Sequence, residues 1–240
     1  MFEWLFGRRR RGVKAPVLGS RLDAIGAADR IDLSDLTPDL VSFLGQTAYL
    51  ELAVFESLSR AVSQAPNLNV KEGISVVAGE ALAKHQGLVA ELRKKKVDPA
   101  TAMQPFTDAI DRFEVLTRGR DWYETLLGVY ITAGFLDDFF ARLVSGLPRT
   151  VAARVAELLS STGSEDAIIS ALREGMESDP NLGARLALWG RRLVGDTQLV
   201  ARSAIAASDS AEGIHRRIEP VFTDLLGAHT RRMDALGLTA

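Results

Sequence analysis

The sequence predicts an all-α protein: a bundle of four long helices with a helical crossover and an extra helix at the C-terminal end. Three observations carry that expectation. No segment alternates apolar and polar residues and no Asn-Gly hairpin turn occurs, so nothing reads as a strand. Four stretches of about 25 residues keep their apolar residues at helical spacing. The links between them hold the prolines and glycines, with a long connection in the middle, as a four-helix bundle requires.

Residues 1–35 contain Arg8–Arg11, several glycines and little periodicity, and they read as a mobile arm preceding a bundle domain at 36–240. The four arginines are either a solvated charge run or an attachment to RNA or another anionic surface. Helical spacing begins at Thr37, an expected N-cap, with Pro38 in the first helical position and Asp39 complementing the dipole. The first helix should run from about 38 to 65, where Pro66-Asn67 stops it. The second spans about 70–96 and ends at Val97-Asp98-Pro99. Residues 100–118 read as a connector with a short helix. The third long helix covers about 120–146, closed by Gly146-Leu147-Pro148. Shorter helices follow at about 150–160 and 165–178, then a fourth long one at about 181–207 and a last at about 210–236.

Composition narrows the function. Of 240 residues, 47% are hydrophobic and 25% charged, enough for one large core or two small ones. The balance of 29 basic against 31 acidic residues, a formal charge of −2, argues against a general nucleic-acid coat. The absence of cysteine excludes disulfides, zinc–thiolate sites and thiol catalysis. No apolar stretch reaches the roughly 18 residues of a membrane span, and MFEWLFGRRRRG is not a secretory signal. A cytoplasmic location and no membrane partner are expected.

The third helix, WYETLLGVYITAGFLDDFFARLV, is apolar on every side, yet Asp137 and Asp138 stand in its middle. Buried carboxylates cost several kcal/mol unless something meets them. Other polar groups point the same way. Between Leu40 and Ser59 the only charges are Glu51 and Glu56. On the second helix, His85 falls on the stripe of Ile74, Ala78, Ala81, Leu88 and Leu92. Glu80 and Lys84 fall outside that stripe at the spacing of a surface ion pair. An antiparallel pairing about residue 66 sets His85 about 4–5 Å in rise from Glu51 and about 12 Å from Glu56. Asp196 lies near the centre of the fourth helix, with Arg191 and Arg192 one turn earlier.

Glu51, His85, Asp138 and Asp196 thus form a candidate metal site, since three carboxylates and an imidazole suit Fe, Mn or Zn. The other reading is a buried network of ion pairs using Arg191, Arg192 or Lys84. His215 and His229, among arginines in the last helix, read as surface residues. Lys94–Lys96 read as cations favouring a helix C-terminus.

The segments YLELAVFESLSR, AKHQGLVAEL, WYETLLGVYITAGFLDDFF and LALWGRRLVGD, in this order, resemble the ferritin-like proteins of actinobacteria. The likeness covers about residues 37–207. More distantly, the chain is similar to the tRNA isopentenyl-adenosine hydroxylase (MiaE-like) family. The resemblance implies a carboxylate-bridged di-iron centre that activates oxygen, built from two glutamates and two Glu-x-x-His pairs. Glu51, His85, Asp138 and Asp196 match four of those positions. Leu82 stands where a glutamate belongs and Leu199 where a histidine belongs. The resemblance therefore implies a single iron or an incomplete di-metal site in a non-haem oxidoreductase or hydroxylase, with a small molecule or tRNA as substrate. The same substitutions equally fit a bundle that binds no metal and has a structural or protein-interaction role, as a homodimer or an adaptor.

Overall fold

The computed structural model describes residues 36–160, 165–203 and 211–239, and among these no strand occurs. The expected arm at 1–35 lies outside the described residues. The long helices are α1 (Leu40–Ser63), α2 (Leu68–Lys94), α5 (Trp122–Leu143) and α8 (Leu182–Ser203). Between α2 and α5 lie α3 (Pro99–Met103) and α4 (Thr107–Thr117). Helices α6 (Arg149–Ser160) and α7 (Glu165–Ser178) separate α5 from α8, and α9 (Ala211–Ala235) closes the chain. No helix among the described residues is long and apolar enough to cross a membrane.

The first helix starts two residues later than its Pro38 suggests. Asp39, rather than Thr37, is the N-cap, because its carboxylate accepts from the backbone N–H of both Val41 and Ser42. Thr37 instead donates its hydroxyl to the Leu143 carbonyl at 2.8 Å, which ties the entry of α1 to the exit of α5. Asn67 caps α2 through Val70, and Asp121 caps α5 through Glu124.

Helix α1 is the hub. It packs extensively on α2 and also on α5, α3 and α4. Helices α1 and α5 run antiparallel: the Trp122 indole donates to the Ala61 carbonyl at 2.8 Å, and Phe43 meets Phe140 edge-on at 5.6 Å. Gly45 permits α3 to settle on α1, since a Cβ there would stand 2.2 Å from the Ala102 carbonyl oxygen.

The α6–α7 pair decides how the bundle closes. Its amphipathic helix α7 buries Ile168, Ala171 and Leu172 and packs against both α2 and α5. Helix α8 therefore lies on another side of α5. It runs in the same direction as α5, because Arg185 meets Asp121 and Glu124 while Leu193 approaches Gly128. Helix α9 is less of a surface element than its arginines suggest. Phe222 packs on Phe135 and Phe139 in the core with Val221 and Leu225 buried beside it, and Met233 and Leu236 are buried at the other end of the bundle.

Candidate functional site

Helices α1 and α5 present two opposite faces, and each face carries a cavity. The first, of about 70 Å³, is walled by α1, α2, α5 and the start of α7. Into it points Lys84, which is 9% exposed despite its charge. Its ammonium lies 2.5 Å from Asp137 Oδ2 and 3.9 Å from Glu51 Oε1. Lys84 reaches this place because Ala81 and Leu88, one turn to either side, hold α2 against α1, while its long stem carries the charge inward.

The three charges do not balance as three full ions. Glu51 is held well above its ordinary value of 4.5, first by burial, then by the negative charge of Asp137, with Lys84 only partly offsetting them. It also shares a hydrogen bond with Asp137. Burial alone would lower the proton affinity of Lys84, but the two carboxylates outweigh it and the net direction is upward. The resulting arrangement is an ammonium paired with Asp137, with Glu51 beside them held toward its neutral form. Glu165 enters the same cavity from α7, raised by burial first, and Tyr130 is pushed up to about 12 by burial and the charge of Glu165.

The four residues expected to share a metal are not brought together. Glu51 belongs to the lysine cluster. His85 is half-buried, not on the innermost stripe, and its Nδ1 lies 2.8 Å from the Ala48 carbonyl. Asp138, next to Asp137 but about 100° further round the helix, accepts from Arg232 of α9 at 2.9 Å. Asp196 sits on α8, which packs on α5 away from α2, so it does not reach the lysine cavity. Among the described residues no three of His, Asp and Glu are grouped as a metal ion would need. The donor set of a di-iron centre does not fit this arrangement.

Of the three cations expected for the other reading, only Lys84 meets the inward acids. Arg191 donates to the Thr239 carbonyl and Arg192 lies over the Trp189 ring, both exposed. Arg232, which was not expected, meets Asp138. Two reciprocal pairs, Asp138–Arg232 and Arg142–Asp224, fasten α9 to α5. His229 lies close to Arg232 and is 4% exposed, contrary to its expected surface position. Burial first and the Arg232 charge second lower its proton affinity from 6.5, so it is neutral near pH 7. The expectation for His215 falls on a side chain outside the described ones.

The second cavity is a cleft of about 300 Å³ on the other face of the α1–α5 pair, roofed by α4. Its deep end is lined by buried Leu50, Ile110, Phe113 and Leu136. Midway, the Ser57 hydroxyl donates to Glu114 and accepts from Arg60, which also pairs with Glu114 at 2.7 Å. At the mouth stand Arg118 and Arg120 from the link before α5. Val54, Val129 and Ala133 line both cavities and form the wall between them. Sequence reasoning missed this cleft. Its only trace in the sequence is Arg118-Gly119-Arg120, two cations and a glycine just before α5.

An all-α bundle whose first and third long helices turn acids inward at mid-length, joined by helical crossovers, is of the ferritin-like class. Comparison with family models agrees: that of the ferritin-like domain of actinomycetes matches residues 36–213. The chain belongs to that family. No curated protein matches it.

Proposed function

We propose that this chain is a ferritin-like protein that works by binding, without a metal, and that Lys84 has taken over the charge balance a metal would supply. One observation carries this reading: the Lys84 ammonium lies between Glu51 and Asp137, at 3.9 and 2.5 Å, where the acids of α1 and α5 face each other. The ammonium pairs with Asp137 and partly offsets the charge at Glu51, which supports a centre balanced by the chain's own cation. The oxygen-activating alternative, a hydroxylase acting on a small molecule or tRNA, requires Asp138 to leave Arg232 and His85 to leave the Ala48 carbonyl before either could ligate. It also requires a contribution from α8 that Asp196 is poorly placed to make.

The test is to remove the ammonium and offer a metal. Lys84→Ala leaves a small acidic cavity, so this variant should gain thermal stability from added Mn²⁺ or Zn²⁺ by mass action. The wild type should show no such shift and no response to chelator. Stoichiometric iron or manganese in the wild type, abolished by Asp138→Asn, would overturn the proposal in favour of the enzyme.

A further inference from the structure

The cleft beneath α4 is not absorbed by the ion-pair centre, and its lining is ordered along its length. The stretch of α1 from Leu50 to Ala61 rises about 16 Å, and the lining changes character over that distance. One end is closed by buried Leu50, Ile110, Phe113 and Leu136. The other opens beside Arg118 and Arg120, which are exposed and make no ion pair with any described residue. Among the other charges, Glu114 is held by Arg60, while Arg185 serves both Asp121, at 2.5 Å, and the buried Glu124. Arg118, Arg120 and Arg185 thus face two carboxylates, and the mouth keeps a net positive charge over a channel with an apolar end. At about 300 Å³ the cleft lies at the lower limit of small-molecule sites. It offers the liquid volume of about ten waters.

We propose that this cleft binds a single-chain amphiphile with an anionic head, its chain between α1 and α5 and its carboxylate or phosphate at Arg118 and Arg120. A guanidinium suits either head by charge and by its forked donors. The chain would displace water from an apolar surface that α4 leaves uncovered. A neutral head would forfeit the cations, and a branched or polycyclic body would meet the Ser57–Glu114–Arg60 cluster across the middle. This assignment rests on the reading of the chain as a binding protein and names the class of ligand.

Trp122 lines the mouth and reports occupancy by its fluorescence. Decanoate, decyl phosphate and decanol, each kept below its micelle concentration, are titrated into the full-length protein. The expected result is saturable 1:1 binding of one or both anions, lost from the signal in Trp122→Phe but retained by calorimetry. Whichever of the two binds more tightly identifies the head. The double variant Arg118→Ala, Arg120→Ala, altered only at exposed positions, should weaken that binding at least tenfold and leave decanol unchanged. Ala53→Leu should block the channel. If that variant fails to fold, the arginine variant alone decides the matter. No saturable binding of either anion, or equal affinity for decanol with no effect of the arginines, would overturn the assignment. Such a failure would leave the metal-uptake test of Lys84→Ala untouched, so the two readings fail separately.

Discussion

The two faces of the α1–α5 pair were built from the same helices and resolve the same difficulty in opposite ways. On the side of α2 and α7 the helices bring carboxylates inward, where Lys84 pairs with Asp137 and partly offsets the burial of Glu51. On the side of α4 they present chiefly small and apolar residues, with one paired cluster of Ser57, Arg60 and Glu114 midway, and the space stays open. Charge inside a bundle demands a partner delivered by the chain itself. Apolar surface makes no such demand, since its cost scales only with area. The lysine face is thus the one where single substitutions should be most damaging, and the open face the one that tolerates them.

The sharpest way to break this comparison is Lys84→Met, which keeps the stem and removes the charge. Asp137 is then stranded, and the variant should lose about 3–5 kcal/mol at neutral pH by chemical denaturation. A loss below about 1 kcal/mol would mean that water already satisfies the acids. Gly45→Ala should come next. The new Cβ would stand 2.2 Å from the Ala102 carbonyl oxygen, a backbone atom that cannot rotate away. About 1–3 kcal/mol should be lost. Asp138→Asn should cost about 1 kcal/mol, because its side chain is 35% exposed and its pair with Arg232 is partly screened. That value should fall with added salt, whereas the Lys84 effect should not.

A pH series separates the faces further. Native Glu51 retains a proton that the unfolded chain gives up above 4.5. Its contribution to stability is therefore complete below pH 4.5 and is lost as pH rises through the native value. Glu51→Gln stays neutral throughout, so its stability relative to the wild type should climb with pH above 4.5 in paired melts. A constant difference between about pH 5 and 8 would show that Glu51 is ionised in the native protein. The smallest effect belongs to the open face: Arg118→Ala should change stability by less than about 0.5 kcal/mol.

Helix positions were almost wholly legible because apolar spacing, caps and Pro-Gly links all act locally. Even the span of α7 follows from its amphipathic pattern ahead of Asp179-Pro180. The inward acids were legible too, since Asp137 and Glu51 interrupt apolar runs. Their partners were legible only in part. Lys84 was one of three cations open to a buried network, but its spacing from Glu80 also reads as a surface pair, and only the packing of Ala81 and Leu88 shows that its stem turns inward. Arg232 lies 94 residues from Asp138, a pairing no local pattern encodes. The placement of Asp196 failed for a similar reason. Mid-helix position was read as mid-bundle position, while the α6–α7 insertion moved α8 to another side of α5. The cleft was invisible because a void is a property of three helices at once.

The roof of that cleft is pinned by two absent side chains. At one end Gly45 lets the Ala102 backbone rest on α1. At the other, a Cβ on Gly119 would lie 2.3 Å from the Thr125 nitrogen, so the bend into α5 also admits only hydrogen at that position. The span between these anchors holds α4 at a separation set by main chain against main chain. Gauge and lining are consequently independent. Substitutions at Ile110, Phe113 or Val129 can reshape what the channel accepts while its walls keep their distance, which makes this bundle a frame for selecting among guests by length and girth.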